Sequence, residues 1–370
     1  MKDIYVTKPY LPDIKLVYAE LEKIWKSRIL SNNGPYHKIF EEEIAKYLGV
    51  KYVSLFNNCT TALLVAIRAM KLEGEIITTP FTFVASSSAL IWNNLKPKFV
   101  DIELDSFNID YEKIEKTISS NTAGILGVHS YGNPCNINEL KRISEKHKLG
   151  LIYDGAAAFG SSFNRKTVLS EGDCSVVSFH ATKILNTFEG GAVISSNKKL
   201  KMKIDQLKNF GMNENGYPTE FGINGKLSEF NSMLGILQLK HINNIIEKRK
   251  NIANIYNKKF AQCEYIDIPK FLYSDNYNFS YYPILIKENS FKDRNQIHYE
   301  LSREGIFCKK YYTPLISKVE SISEIYNSSK YPIAKYISEN IICLPLYPDL
   351  NIRDQERVFN TLLTIIYSKN

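Results

Sequence analysis

The stretch Val176-Val-Ser-Phe-His-Ala-Thr-Lys-Ile-Leu-Asn-Thr-Phe-Glu-Gly-Gly-Ala-Val-Ile-Ser195 decides the fold. Its first apolar run ends at Phe179 and predicts a buried strand, and Ala192 to Ser195 predict a second strand beside it. A single lysine, Lys183, and the pair Gly190-Gly191 lie between these runs, and glycine permits tight turns. Most lysines are solvated surface residues, but a lysine at the end of a buried strand is placed to hold an aldehyde as a Schiff base.

The composition is that of a globular protein with a sizeable core, because 44% of the residues are hydrophobic and 23% are charged. The length of 370 residues allows one large domain or two ordinary ones. The net charge of +8 comes from 47 basic and 39 acidic side chains that are spread over the chain. This distribution favours a small anionic ligand and argues against a nucleic-acid partner, which needs a concentrated basic surface.

The six cysteines include no Cys-x-x-Cys pair and predict reduced thiols, with neither a disulfide framework nor a zinc site. The N-terminus has no signal-peptide core, and no apolar run reaches the roughly 18 residues that a membrane span needs. We therefore expect a cytoplasmic protein without a membrane segment.

Strand and helix patterns alternate along most of the chain. Predicted strands occupy residues 52–56, 75–79, 98–101, 123–128 and 150–153, and the helices between or before them cover residues 13–27, 60–70, 83–92 and 137–147. Such alternation predicts an α/β fold with a mostly parallel sheet that helices cover on both faces. Ligands of such sheets bind beyond the carboxyl ends of the strands.

The C-terminal part of the chain follows a different pattern. One long helix is predicted from about Ser228 to Lys258, and its charged middle suggests a connector between two bodies. Shorter strands (281–286 and 306–309) and helices (295–304, 333–339 and 352–367) follow it. We expect a large cofactor-binding domain over residues 1–245 and a smaller α+β domain over residues 246–370.

Polar residues at the predicted strand ends fit the needs of pyridoxal phosphate. This cofactor requires a lysine for its aldehyde, a carboxylate for its ring nitrogen, a flat face and phosphate donors. Asp154 ends an apolar strand and suits the ring nitrogen, with a helix N-cap as the alternative. Thr60 opens a helix, where free N–H groups favour a phosphate, although helix capping would also explain it. Ser178 offers another hydroxyl to the phosphate.

Phe83 is a candidate to stack on the cofactor ring, although a place in the hydrophobic core is the commoner fate of an aromatic residue. His180 and His129 are candidates to orient a substrate, with a structural role as the alternative for each. No Gly-x-Gly-x-x-Gly sequence occurs, which excludes the usual nicotinamide fingerprint.

Several motifs together resemble the DegT/DnrJ/EryC1/StrS family of nucleotide-sugar aminotransferases. They are Ser178-Phe-His-Ala-Thr-Lys183, Glu189-Gly-Gly191, Asp154, Thr60, Gly222-Ile-Asn-Gly-Lys-Leu-Ser-Glu229 and Leu344-Pro-Leu-Tyr-Pro348. The resemblance implies the aspartate aminotransferase (type I) fold of pyridoxal-phosphate-dependent transferases. It also implies a homodimer whose active sites lie at the subunit interface.

The resemblance assigns roles to individual residues. Lys183 would bind the cofactor aldehyde and transfer protons, Asp154 would pair with the ring nitrogen, and Asn224 would reach the phosphate of the neighbouring subunit's cofactor. The remaining implied cofactor contacts are Phe83, Thr60, Cys59 and Ser178, and the substrate candidates are His180, His129, Asn33, Lys310 and Tyr311. The Lys183 stretch is most similar to members that aminate dTDP-4-keto-6-deoxyglucose with L-glutamate, for surface-glycan biosynthesis.

Three positions depart from the family pattern. The motif Asp-x-Ala-Gln/His reads Asp154-Gly-Ala-Ala157 here, so the side chain expected at the cofactor's 3-hydroxyl is missing. Cys59 replaces the glycine that usually precedes the phosphate-binding threonine, and Lys226 replaces an arginine.

The Ala157 and Cys59 changes leave open a catalytically impaired member that binds the cofactor. An aminotransferase for a nucleotide-linked 3-keto sugar is a second alternative. An amino-acid aminotransferase is a third, and it should supply an arginine for the α-carboxylate, with Arg294 and Arg303 as the candidates.

Overall fold

The computed structural model describes residues 2–270, 274, 276–318 and 330–368. Its strands are β1 (Ile4–Tyr5), β2 (Val53–Phe56), β3 (Glu75–Thr78), β4 (Lys96–Phe99), β5 (Thr122–Val128), β6 (Gly150–Asp154), β7 (Ser162–Phe163), β8 (Lys166–Thr167), β9 (Cys174–Ser178), β10 (Gly191–Ser195), β11 (Ile266–Asp267), β12 (Tyr282–Ile286), β13 (Ile306–Phe307) and β14 (Ile341–Leu344). Its helices are α1 (Ile14–Ser27), α2 (Pro35–Leu48), α3 (Cys59–Met70), α4 (Val84–Trp92), α5 (Tyr111–Thr117), α6 (Ile137–His147), α7 (Lys198–Lys208), α8 (Glu229–Leu239), α9 (Ile242–Phe260), α10 (Arg294–Arg303), α11 (Pro332–Asn340) and α12 (Ile352–Tyr367).

A seven-stranded sheet in the order β2-β10-β9-β6-β5-β3-β4 forms the centre of the molecule. The pairs from β9 to β4 are all parallel, whereas β10 is antiparallel to both β2 and β9. This arrangement confirms the predicted α/β class with a mostly parallel sheet. The predicted pairing of the strands around Lys183 is also confirmed, since Ala192 lies opposite Val177.

Helices cover both faces of this sheet. Successive side chains of a strand point to opposite faces, and in the central strands both sets are apolar. Val177 packs in one hydrophobic core with Phe40 of α2 and Leu140 of α6. Its neighbour Val176 packs in another core with Ala66 of α3. Both faces of the central strands are therefore buried, as the unbroken apolar runs of the sequence predict.

The C-terminal part forms a separate hydrophobic core around the three-stranded sheet β11-β12-β14. Helix α9 contributes to both bodies: Ile245 packs against the core of the large sheet, whereas Tyr256 packs in the C-terminal core. The N-terminal strand β1 joins the C-terminal body as well, since Ile4 pairs with Ile306 of β13. The division into residues 1–245 and 246–370 stays a prediction.

The prediction of one long helix from Ser228 to Lys258 is wrong. Two helices occupy this stretch, α8 and α9, and they are separated at Lys240 and His241. No glycine or proline marks the break, and buried apolar residues lie on both sides of it, Leu239 before and Ile242 after. The apolar pattern therefore continues on both sides of the break, so periodicity alone does not reveal it.

Smaller differences concern short elements. Strand β4 covers Lys96–Phe99 where residues 98–101 were expected, and β13 covers only Ile306–Phe307 of the expected 306–309. The short helix α5 and the strand β14 have no counterpart in the sequence-based prediction.

All six cysteines are free thiols. Within the described residues, no helix combines the length and apolarity that a membrane crossing requires.

Candidate active site

A cavity of about 280 Å³ opens at the carboxyl ends of the central parallel strands. Three of these strands, β5, β6 and β9, end at Val128, Asp154 and Ser178, and all three residues line the cavity. Parallel strands end at the same edge of a sheet, and loops at this edge commonly build ligand sites. Residues distant in the sequence therefore meet here.

Lys183 lies in the loop between β9 and β10 and lines the cavity. Its Nζ donates a hydrogen bond to the hydroxyl oxygen of Tyr281 over 3.2 Å. Burial lowers the pKa of the Lys183 amine, but the nearby Tyr281 oxygen, Cys59 and Asp154 raise it by more, so that this pKa lies above its ordinary value. The Lys183 amine therefore lies beside the hydroxyl of Tyr281, which also lines the cavity.

The glycine pair lets the Lys183 loop approach helix α3 closely. A Cβ atom at Gly191 would lie 2.7 Å from the backbone nitrogen of Cys59, and one at Gly190 would lie 2.2 Å from Oγ1 of Thr187. Real Cβ atoms do not tolerate such distances, so glycine is needed at position 191 for the close backbone approach to α3 and at position 190 for the observed place of the Thr187 side chain. The lysine loop and the start of α3 consequently form one wall of the cavity.

Asp154 lies at the end of β6 with only 8% of its surface exposed. Its Oδ2 accepts a hydrogen bond from Ser86 Oγ over 2.7 Å, and its Oδ1 accepts one from the backbone N–H of Ala156 over 3.1 Å. Among the residues that the structure describes, no cationic side chain lies within ion-pair distance of this carboxylate. A buried carboxylate facing a cavity in this way is suited to a positively charged ligand atom.

Helix α3 points its N-terminus at the same cavity, which Asn58, Cys59 and Thr60 line. The Asn58 side chain caps the helix by accepting from the N–H of Thr61 over 2.8 Å. The first N–H groups of a helix have no partner within the helix and carry partial positive charge, which favours an anion such as a phosphate. Burial raises the pKa of the Cys59 thiol well above its ordinary value, so it stays protonated.

Phe83 and His180 form the outer rim of the cavity. Phe83 precedes helix α4, and 60% of its surface is exposed. The imidazole Nδ1 of His180 lies 2.8 Å from the hydroxyl of Thr182, and its Nε2 lies 3.5 Å from Oε1 of Glu189. Both predicted residues are therefore accessible to a molecule that enters the cavity.

His129 lies deeper, and its ring stacks on that of Tyr153 with 4.7 Å between the centroids. Its Nδ1 accepts a hydrogen bond from the backbone N–H of Cys135 over 3.1 Å. Burial lowers the pKa of His129 to about 3. The imidazole is therefore neutral at physiological pH, and this packing is typical of a structural histidine.

The structure brings most of the predicted site residues together. Those that line the cavity are Lys183, Asp154, Thr60, Cys59, Phe83, Ser178, His180, His129 and Tyr311. Three others do not line it. Asn224 forms an isolated bridge with Asn209, and Lys310 donates to Asn295 Oδ1 over 3.0 Å. Asn33 precedes helix α2 in a left-handed conformation, with φ of 57°.

Sequence reasoning missed two residues of the site, Ser86 and Tyr281. Ser86 lies in the first turn of α4 and is fully buried, but a serine at this position carries no sequence signal for a contact with Asp154. The Tyr281-Tyr282 pair carries no comparable signal, because tyrosines before an apolar strand are usually core residues. Tyr281 and Tyr312 both line the cavity.

The chain is similar in sequence to known aminotransferases. A model of the DegT/DnrJ/EryC1/StrS aminotransferase family matches residues 14–363. A dTDP-4-amino-4,6-dideoxy-D-glucose transaminase from Escherichia coli is 43% identical, with 95% of each chain covered. A transaminase of the same name from Shigella dysenteriae is 39% identical, over 98% of this chain and 99% of its own.

The fold is also similar to solved structures of sugar aminotransferases. PseC from Helicobacter pylori, an aminotransferase involved in the biosynthesis of pseudoaminic acid, superimposes with a TM-score of 0.92 at 30% identity over 99% of each chain. DesI, crystallised in the presence of its TDP-sugar product, gives a TM-score of 0.94 at 28% identity over 99% of this chain and 94% of its own. The chain thus belongs to the DegT/DnrJ/EryC1/StrS aminotransferase family and is a pyridoxal-phosphate-dependent sugar aminotransferase.

Proposed function

We propose that this enzyme transfers the amino group of L-glutamate to C4 of dTDP-4-keto-6-deoxy-D-glucose, which yields dTDP-4-amino-4,6-dideoxy-D-glucose. Two relatives that carry the name of this transaminase support the proposal, at 43% and 39% identity over nearly the whole chain. In the structure, the proposal is supported by the fact that Lys183 and Asp154 line the same cavity.

The residues of the cavity fit pyridoxal phosphate. Asp154 is a buried carboxylate that lacks a cation among the described residues, and a protonated ring nitrogen would supply one. The N-terminus of α3, with the hydroxyls of Thr60 and Ser178, suits the phosphate group. Phe83 offers an exposed aromatic face for the ring.

The cofactor supplies an aldehyde that takes up the amino group and a ring that accepts electron density. Lys183 Nζ would hold that aldehyde, and the freed amine would act as general base and then general acid at the carbon that bears the amino group. Asp154 would stabilise a positive charge on the ring nitrogen, and Ser86 orients the carboxylate. Because the 2-oxo acid would leave before the keto sugar binds in the same cavity, we expect ping-pong kinetics.

The substrate proposal fits the charge and the exposure of the rim. The net charge of +8 favours an anionic sugar nucleotide. His180, with Glu189 beside its Nε2, is placed at the entrance where the sugar ring would lie. Tyr311 lines the same cavity, whereas Lys310 and Asn33 would have to contact more distant parts of the substrate.

We also propose a homodimer with shared active sites. Several aromatic side chains are exposed: Phe83 at the rim of the cavity, Phe188 beside the cavity residue Glu189, Trp92 at the end of α4, and Phe210 and Phe221 in the segment before Asn224. A monomer rarely exposes so many large apolar groups, which suggests that a second copy covers them. Asn224 does not line its own cavity, so a role at the cofactor phosphate requires this second copy.

The free thiols suit a cytoplasmic enzyme, and we place the reaction there, with its product destined for a surface glycan. The substrate is tested by incubating the enzyme with isotope-labelled L-glutamate and a panel of dTDP- and UDP-linked 3-keto and 4-keto sugars. Mass spectrometry should detect the label in the dTDP 4-keto sugar, and NMR should place it on C4. A label on C3, or one found only in a UDP-linked product, contradicts the proposal.

The shared site is tested by complementation between two variants, Lys183→Ala and Asn224→Ala, each with reduced activity alone. Unfolding and refolding a mixture of both chains forms mixed dimers, in which one site has both native residues. Activity above that of either variant supports sharing between subunits. If verified mixed dimers show no recovery of activity, Asn224 does not act across the interface.

A further inference from the structure

The absence of a donor at Ala157 leaves one atom of the cofactor without the partner that the family pattern supplies. Ala157 lines the cavity three residues after Asp154, and its methyl group cannot donate a hydrogen bond. The phenolic oxygen of pyridoxal phosphate carries negative charge in the resting enzyme. A buried charge without a hydrogen-bond partner is costly, so another donor is expected nearby.

The hydroxyl of Tyr281 is in the right place. It lies 3.2 Å from Lys183 Nζ, and the structure gives no other hydrogen bond of this amine to any residue it describes. In the cofactor, the phenolic oxygen is bonded to the ring carbon next to the one that bears the aldehyde. A donor within reach of the lysine nitrogen is therefore also close to this oxygen.

The backbone around Tyr281 is fixed to the loop that contains Ala157. The side chains of Asn278 and Ser280 both donate to the carbonyl oxygen of Ala157, over 2.7 and 2.6 Å. Position 157 therefore lacks a polar side chain, but its backbone holds the segment that presents Tyr281. Such fixed geometry is what a hydrogen bond to a cofactor requires.

Arg249 fixes the same segment from the other side. Its Nε donates to the carbonyl oxygen of Phe279 over 2.7 Å, and its Nη2 donates to that of Ser280 over 2.6 Å. Burial lowers the pKa of Arg249 to about 10, and only 3% of its surface is exposed. A buried guanidinium bonded to two consecutive carbonyls leaves Tyr281 little freedom.

We propose that the Tyr281 hydroxyl donates a hydrogen bond to the phenolic oxygen of the bound cofactor, in place of the glutamine or histidine that the family pattern has at position 157. Besides Lys183, the titratable groups that face this hydroxyl are Tyr131, Tyr277, Tyr311, Tyr312 and the Arg249 guanidinium. In the described chain the lysine amine has a hydrogen bond to Tyr281 and to none of these five groups.

The visible absorbance of the holoenzyme reports whether the nitrogen that joins Lys183 to the cofactor is protonated. We expect this absorbance to depend on Tyr281. A donor to the phenolic oxygen stabilises its negative charge and so makes this nitrogen less basic. In Tyr281→Phe the pH midpoint of the absorbance change should rise by about one unit, as expected for the loss of one charge-assisted hydrogen bond.

Tyr311→Phe is the matched control, because it removes a hydroxyl from the same cavity without a hydrogen bond to Lys183. Its midpoint should equal that of the wild type. The double variant Tyr281→Phe/Ala157→Gln returns an amide donor at the family's position, and the midpoint should fall back toward the wild-type value. Ala157→Gln alone, which keeps both donors, should not raise the midpoint.

An unchanged midpoint in Tyr281→Phe would overturn the proposal. So would a rise that Ala157→Gln fails to reverse, because Tyr281 would then act through the lysine alone. The inference rests on Lys183 as the cofactor lysine, which borohydride trapping checks separately. No sugar substrate is added, so the result does not depend on the proposed substrate.

Discussion

Ser86 Oγ donates a hydrogen bond to Asp154 Oδ2 over 2.7 Å, which connects helix α4 to the end of strand β6. Ser86 is fully buried, and its oxygen also lies 2.8 Å from Oγ1 of Thr82. The carboxylate is thus held by a side chain on one side and by the Ala156 N–H on the other. This support keeps Asp154 directed at the cavity.

Removing this support should weaken the site without unfolding it. Ser86→Ala deprives Asp154 of one hydrogen bond, and we expect the affinity for pyridoxal phosphate to fall about tenfold, since bonds to charged groups contribute about 1.5–3 kcal/mol. Equilibrium dialysis of the cofactor measures this. Ser87→Ala is the matched control, because the Ser87 hydroxyl is buried without a hydrogen-bond partner in the described chain. Equal affinities of both variants would contradict the role of Ser86.

Glu229 should stabilise the fold at a helix terminus. Its two carboxylate oxygens accept from the backbone N–H groups of Tyr36 and His37 at the start of α2, each over 2.9 Å. A Cβ atom at Gly34 would lie 2.6 Å from Glu229 Cδ, so glycine permits this approach. Glu229→Gln keeps the size but gives up one acceptor and the favourable charge, which should lower the free energy of unfolding by about 2 kcal/mol.

Urea denaturation tests this expectation against Glu22→Gln. Glu22 forms a 2.7 Å ion pair with Lys26 in which both side chains are largely exposed, at 65% and 74%. Surface pairs of this kind contribute little, so the control should change stability by less than about 1 kcal/mol. A Glu229→Gln variant as stable as this control would show that the buried carboxylate does not support α2.

His129 should make stability depend on pH. Burial lowers its pKa to about 3 in the folded protein, whereas an unfolded histidine has an ordinary pKa near 6.5. The unfolded state therefore binds a proton first, and stability falls as the pH drops from about 6.5 toward 3. Between pH 7 and 5 this group alone should cost about 2 kcal/mol. His129→Asn removes the titration, so its unfolding free energy should fall less over this range; equal slopes for both proteins would exclude the effect.

The sequence predicted the general site because parallel strands end at a common edge. Lys183, Asp154 and Ser178 each follow an apolar run, and this local pattern sufficed to place them together. The contacts of Ser86 and Tyr281 could not be predicted from local sequence patterns, since their partners lie 68 and 98 residues away along the chain. Such contacts depend on how helices and loops pack onto the sheet, which periodicity does not encode.

The helix break at Lys240 and His241 was missed for a related reason. Lys240 keeps nearly helical backbone angles, with φ and ψ of −59° and −23°, whereas His241 departs from them at −107° and −1°. Neither residue type is a helix breaker like glycine or proline. The break is stabilised by distant groups: the Gln238 side chain donates to the carbonyl oxygen of Tyr10 over 2.7 Å, and the Tyr10 ring packs on that of His241 at 5.5 Å. Local propensity alone favours one continuous helix.

The place of Lys183 in this enzyme is tested most directly by borohydride reduction of the holoenzyme, followed by proteolysis and mass spectrometry. Reduction makes the link between lysine and cofactor permanent, so the modified peptide identifies the residue. We predict that the modification lies on the peptide with Lys183, and that Lys183→Ala protein shows neither this modification nor the visible absorbance. A cofactor trapped on another lysine, or a Lys183→Ala variant that still forms the amino sugar, would contradict the account.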